Sequence, residues 1–316
     1  MTRKRKPRRI VKSYFNKIAA LPVRPIFALL LKVPESWIRV LSEIIAWGFA
    51  NFAFPLKRMA IKNLRIAYKN TLSDDKIKII AKESMKNIVR MMSELTIIIR
   101  PSYTTKDTPI EGEHHLKEAL KGDKGILILG SHVGNFLLLI LSLAQKGYPL
   151  HYILKESKDE NFRDFVRELN KNLGLKPIPV KPRSEATKRS LRALRDREML
   201  WLALDQDTKF GDIGVEFFGV KVGTSRGPAI LAQRTESTVL PIYAKREGWL
   251  KHTLIVKEPV KLVNSGDKDM DIYKNLKRMN GVLEEEITEN PEEWWWVHRR
   301  WKRAYRYSDE ETKEMS

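Results

Sequence analysis

Gly125-Ile126-Leu127-Ile128-Leu129-Gly130-Ser131-His132-Val133-Gly134-Asn135-Phe136 begins a run of 21 residues, 125–145, with no charged side chain. A run of that length would suffice to cross a bilayer. Its middle forbids that reading: Gly130 to Asn135 is polar and glycine-bearing, so the stretch reads as a strand, a turn and a buried helix. An imidazole then stands at the carboxyl end of a strand, where open α/β sheets bind their ligands.

Outward from this unit the same alternation continues. Short apolar runs at 150–154, 176–180, 199–205, 215–220, 238–244 and 253–260 read as strands. Amphipathic segments at 135–146, 160–173, 185–197 and 226–236 read as helices between them, and 267–290 reads as a further helix. Such alternation predicts an α/β layer fold with a mostly parallel central sheet flanked by helices. Residues 26–100 are helical in pattern instead, with Ser73, Asp74 and Asp75 as a helix start and Pro101 as a stop. The expected organisation is a basic arm at 1–24, a helical region at 25–105, an α/β domain at 106–304 and a tail at 305–316.

The formal net charge is +20, and ten Lys or Arg residues precede the first acid, Glu35. A second basic cluster, Arg299, Arg300, Lys302, Arg303 and Arg306, lies near the C-terminus. Charge of this sign suits nucleic acid, anionic lipid headgroups or an acidic protein. No nucleic-acid motif accompanies it, so no nucleic acid is expected as partner. Cysteine is absent, which excludes a disulfide framework, thiolate metal sites and a cysteine nucleophile. The uncharged segment Ile44 to Leu56 is only 13 residues long, short of a spanning helix. With Trp37 and Trp47 and flanking basic residues, residues 26–56 read as lying on an anionic membrane surface.

Four blocks carry the candidate chemistry. The first is Gly130 to Phe136, with His132 as candidate general base. The second is Leu204-Asp205-Gln206-Asp207, at the end of another apolar strand and able to line the same crevice. The third, Phe217 to Ala229, runs through glycines to Thr224 and Ser225, either of which would cap a helix whose first turn holds Pro228. The fourth, Asn290 to Arg303, mixes tryptophans with basic residues and suits a lipid–water interface, nucleic acid or a sealed core.

In this order the blocks SHVGNF, DQD, FFGVKVGT, VLP and PEEWWWVHRRWK resemble the late acyltransferases of lipid A biosynthesis, over roughly residues 36–304. The resemblance implies a glycerolipid-acyltransferase-like fold with an N-terminal helical membrane-binding portion. It implies transfer of a fatty acyl chain from acyl carrier protein to a hydroxyl of a phosphorylated glycolipid, at the cytoplasmic face of the inner membrane, peripheral or monotopic, with no cofactor and no metal. It makes His132 and Asp205 the catalytic candidates and Gly134, Asn135, Gln206 and Thr224 the substrate-binding ones. The family motif is H-x4-D/E, in which a carboxylate holds the imidazole's tautomer. Here Leu137 stands where that acid belongs. Either another acid, Asp205 or Asp207, substitutes, or the histidine works alone, or the chain is a catalytically dead lipid- or carrier-protein-binding homologue.

Overall fold

The computed structural model describes residues 29–69, 71–207 and 212–304. The expected basic arm at 1–24 and tail at 305–316, which includes Arg306, lie outside the described residues.

Three helices come first: α1 (Glu35–Phe52), α2 (Phe54–Tyr68) and α3 (Asp74–Ile98). Helix α3 starts where Ser73 Oγ accepts from the Lys76 N–H. Asp74 and Asp75 in its first turn oppose the positive end of its dipole. Helix α1 buries Ile38, Ser42, Ala46 and Ala50, one residue per turn, and this narrow small-residue stripe packs on α3. Its opposite side is apolar too, yet faces outward: Trp37, Ile44 and Phe52 are 63%, 61% and 64% exposed. Among the described residues no helix is long and apolar enough to cross a membrane.

The remainder is α/β: β1 (Ile110–Glu111), α4 (Glu113–Lys121), β2 (Ile126–Gly130), α5 (Phe136–Gln145), β3 (Leu150–Leu154), α6 (Glu160–Asn172), β4 (Lys176–Pro179), α7 (Arg183–Arg195) and β5 (Met199–Ala203). Then come β6 (Asp212–Phe217), β7 (Val220–Ser225), α8 (Gly227–Thr235), β8 (Thr238–Gly248), β9 (Lys251–Val256) and α9 (Lys268–Glu289). Seven strands form one sheet in the order β1-β9-β8-β2-β5-β3-β4. All neighbours are parallel except β8 and β9. The mostly parallel sheet is therefore the observed one.

Strand β2 is buried on both faces, which is why it reads as an unbroken apolar run. Leu127 and Leu129 join a core shared with α7, α8 and α9. Ile126 and Ile128 join a second core shared with α4 and α5. Gly130 lets the strand end pass the indole of Trp201 on β5, where a Cβ would come within 2.2 Å of that ring.

One expected strand lies elsewhere. Residues 215–220 fall in a separate antiparallel hairpin, β6–β7, outside the main sheet. Phe218 and Gly219 both take positive φ at its turn, the geometry that matches a two-residue hairpin to strand twist. Strand β7 consequently runs through Thr224 and Ser225 into the ladder, and α8 begins after Arg226 with no side-chain cap from Thr224. Pro228 does sit in the first turn, as expected.

Candidate active site

Strands β2 and β5 are parallel neighbours, with Gly130 opposite Ala203. Two residues beyond each strand end stand His132 and Asp205, so the register alone puts them side by side. Nδ1 of His132 lies 2.9 Å from Oδ1 of Asp205. The His132 backbone N–H donates to Oδ2 at 2.9 Å, and the indole N–H of Trp294 donates to the same oxygen at 2.8 Å. Asp205 is buried. Burial by itself would raise its carboxyl, but the electrostatic attraction of the His132 imidazole and these hydrogen bonds hold it well below the usual carboxylate range. An ionised Oδ1 can only accept, so Nδ1 carries the hydrogen and the Nε2 lone pair is left as a base.

Phe136, Trp295 and Trp201 surround the ring, at centroid distances of 4.8, 5.3 and 6.4 Å. The side chain of His132 keeps 14% of its surface exposed, enough for a reactant to reach one edge. The Gln206 amide nitrogen is 2.8 Å from Nε2 and 3.2 Å from Nδ1. An atom on the outward axis of Nε2 would be farther from Nδ1 by nearly the width of the ring. Gln206 therefore sits over the face of the imidazole and not on that axis.

Of the other expected site residues, Gly134 and Asn135 belong to the turn itself, while Thr224 and Asp207 bond to arginines of the C-terminal block. Asn135 caps α5, accepting from the Leu138 N–H at 2.9 Å, while its amide donates to Glu94 at 2.8 Å. Gly134 has φ +60°, and a Cβ there would come within 1.8 Å of the Ala244 carbonyl oxygen; only glycine fits this close approach of loop and strand. Thr224 is buried on β7 and accepts from Arg300 at 3.0 Å. Asp207 pairs with Arg303 at 2.7 Å, away from the imidazole. Leu137 is half-buried on the first turn of α5.

Several contributors lie far along the chain. Glu94 on α3 is fully buried, paired with Arg246, bonded to His252 at 3.0 Å and to the Leu250 N–H at 3.0 Å. Burial opposes its ionisation, yet His252 and Arg246 bring its carboxyl down to about 2. The C-terminal block turns inward. Trp294 and Trp296 are buried, and Arg300 donates to the carbonyls of Gly223 and Gln206 at 2.7 and 3.2 Å. Arg300 and Arg303, two of the five residues of that basic cluster, are thus bonded inside the fold. A sealed core is one of the three readings that the sequence of this block allows, and no local pattern in it marks Trp294 as a partner of Asp205.

Behind the turn, Ser131 donates to Glu286 on α9 at 2.6 Å. Burial raises the Glu286 carboxyl to about 8, and the nearby charge of Asp205 pushes the same way. The folded chain therefore keeps a proton there that the unfolded chain, with an ordinary value of 4.5, releases. Folded-state proton uptake makes stability fall as pH rises from about 4.5 to about 8. Glu286→Gln keeps an acceptor for Ser131 and removes the titration. Its melting temperature relative to wild type should rise between about pH 5 and about pH 9; a constant difference across that range would assign the proton elsewhere. Among the described residues no group of three or more His, Asp or Glu side chains is placed to hold a metal ion.

The sequence model of the family described as "Bacterial lipid A biosynthesis acyltransferase" matches residues 5–303. A "Lipid A biosynthesis acyltransferase" of Haemophilus influenzae is 24% identical over 284 residues, 86% of each chain. A "Lipid A biosynthesis palmitoleoyltransferase" of Escherichia coli is 24% identical over 85% of this chain and 92% of its own length. A "Phosphatidylinositol mannoside acyltransferase" of Mycolicibacterium smegmatis is 28% identical over a shorter segment, 42% of this chain and 44% of its own.

Proposed function

This chain belongs to the bacterial lipid A biosynthesis acyltransferase family, and from that premise we propose that it moves a fatty acyl chain from the thioester of an acyl carrier protein to a hydroxyl of a lipid A precursor or related glycolipid. The observation that carries the mechanism is the 2.9 Å contact between His132 Nδ1 and Asp205 Oδ1. Nε2 takes the proton of the acceptor hydroxyl as that oxygen attacks the thioester carbonyl. The imidazolium formed is stabilised by Asp205 and returns its proton to the departing thiolate. One ester bond forms and one thioester bond breaks, with no net change in protons on the enzyme. The aromatic walls around the ring exclude water that would otherwise hydrolyse the thioester.

In this mechanism Asp205 does the work of the acid missing at Leu137. The test is transfer of a labelled acyl chain from acyl carrier protein to a lipid A precursor by wild type and by Leu137→Glu. Wild type should form product, and Leu137→Glu should leave its rate within about threefold or lower it, because Nδ1 is already engaged. No product from wild type with a large gain in Leu137→Glu would favour a catalytically dead lipid-binding homologue.

The acceptor and the chain meet at a membrane surface, on the cytoplasmic face, through the outward side of α1. Trp37, Leu41, Ile44, Ile45, Trp47 and Phe52 are all exposed there, an amount of apolar surface that suits insertion at a lipid interface. Lys57, Arg58 and Lys62 follow on α2, where anionic headgroups would meet them. Flotation with vesicles of anionic phospholipid should recover wild type in the lipid layer. The triple variant Trp37→Glu, Ile44→Glu, Phe52→Glu should stay with the soluble fraction, and equal flotation of both would remove α1 from the interaction.

A further inference from the structure

Asp205 reaches the imidazole from a strand end and not from the helix that follows the histidine. A carboxylate on a loop can rotate, so something must fix it if the ring is to keep one tautomer. Oδ1 meets the ring. Oδ2 has two donors: the backbone N–H of His132 at 2.9 Å and the indole N–H of Trp294 at 2.8 Å. The first belongs to the same turn as the ring, and so moves with it. The second arrives from 89 positions away along the chain.

The segment bearing Trp294 is itself held in place. Val133 and Trp294 form an antiparallel bridge, and the Gly134 N–H donates to the Glu293 carbonyl at 3.2 Å. On its far side the Asn63 amide donates to the carbonyls of Trp296 and His298 at 2.7 and 2.6 Å. The indole packs against Trp296, Phe217 and Trp301, with centroids 4.6, 6.0 and 6.0 Å away. Its one polar atom is aimed at Asp205. Trp296, two residues on, is equally buried but gives its indole N–H to the Pro291 carbonyl at 2.6 Å.

We propose that Trp294 is a positioning residue for acyl transfer: its indole N–H locks the Asp205 carboxylate so that Oδ1 stays on Nδ1 and Nε2 stays free to accept a proton. The proposal rests on His132 acting as the base. Trp294 works through Asp205 and touches neither reactant, so its loss should appear in kcat and leave KM for donor and acceptor nearly unchanged.

The decisive variant replaces the indole at position 294 with the benzothiophene of β-(3-benzothienyl)alanine, which has the same shape but no N–H. Trp294→Phe is a second probe, and Trp296→Phe controls for lost aromatic packing in the same cluster. A hydrogen bond to a charged acceptor predicts a fall in kcat of about 10- to 100-fold for both position-294 variants, with KM within about twofold. The benzothienyl protein should melt within a few degrees of wild type. An isostere with wild-type kcat would overturn the proposal. So would an equal loss in Trp296→Phe, which would mark the effect as packing. His132→Ala and Asp205→Asn belong in the same assay. Full activity in both would overturn the underlying reading of His132, and with it the proposal. Loss in both, beside an unimpaired isostere, would overturn the assignment to Trp294 alone.

Discussion

His132→Ala should lower the rate of acyl transfer by roughly three to four orders of magnitude, while the protein stays folded and still floats with anionic vesicles. An alcohol is a poor nucleophile until its proton is taken, and in the proposed mechanism Nε2 is the group that takes it. The ring is 14% exposed and bounded by Phe136, Trp201 and Trp295, so alanine leaves a pocket that water enters without a base to activate either water or acceptor. Folding should be little affected. The turn is held by bonds that do not use the ring: the His132 N–H on Asp205, the Asn135 cap of α5 and the Gly134 N–H on Glu293. Residual transfer close to wild type would take the histidine out of the chemistry.

Asp205→Asn should be nearly as damaging, by roughly three to four orders of magnitude, for a reason that the geometry makes specific. Two N–H donors, from His132 and Trp294, converge on Oδ2. In the asparagine variant the amide oxygen must face those donors, which turns the amide NH2 towards Nδ1. A donor facing Nδ1 forces that nitrogen to accept, so the hydrogen moves to Nε2 and the base is lost. The size of the effect follows the same substitution in a Ser-His-Asp protease triad, where the wrong tautomer costs about 10⁴. Thermal melting should move far less than the rate, since the substitution preserves volume and satisfies both donors. A modest rate loss beside a large loss of stability would make Asp205 a structural acid instead.

How much of this was legible beforehand depended on distance along the chain. β2, the turn and α5 read correctly because an unbroken apolar run, a glycine-bearing turn and an N-capping Asn lie within twenty residues. The parallel sheet followed from strand–helix alternation. The placement of His132 beside Asp205 is legible because each stands just past an apolar strand, and parallel neighbours bring such ends together. The strand at 215–220 reads as one of the sheet's strands because an isolated apolar strand looks the same whether it joins a central sheet or pairs only with its successor. Thr224 and Ser225 both read as caps because Ser and Thr before a Pro-containing helix usually cap, whereas here Arg300 bonds the Thr224 hydroxyl and the helix begins after Arg226. Trp294 on Asp205, Glu94 on Asn135 and Glu286 on Ser131 join residues 89, 41 and 155 apart. No periodicity encodes such pairings, which arise only once the sheet and its helices are assembled.

That His132 and Asp205 act as a single unit is tested most directly by single-turnover acyl transfer in a double-mutant cycle. The four proteins are wild type, His132→Ala, Asp205→Asn and the double variant. In the proposed mechanism Asp205 works only through the ring, so the double variant should be no slower than His132→Ala within about twofold. Losses that multiply, with the double variant slower than His132→Ala by the full factor of Asp205→Asn, would mean that the two residues serve separate steps and would contradict the mechanism.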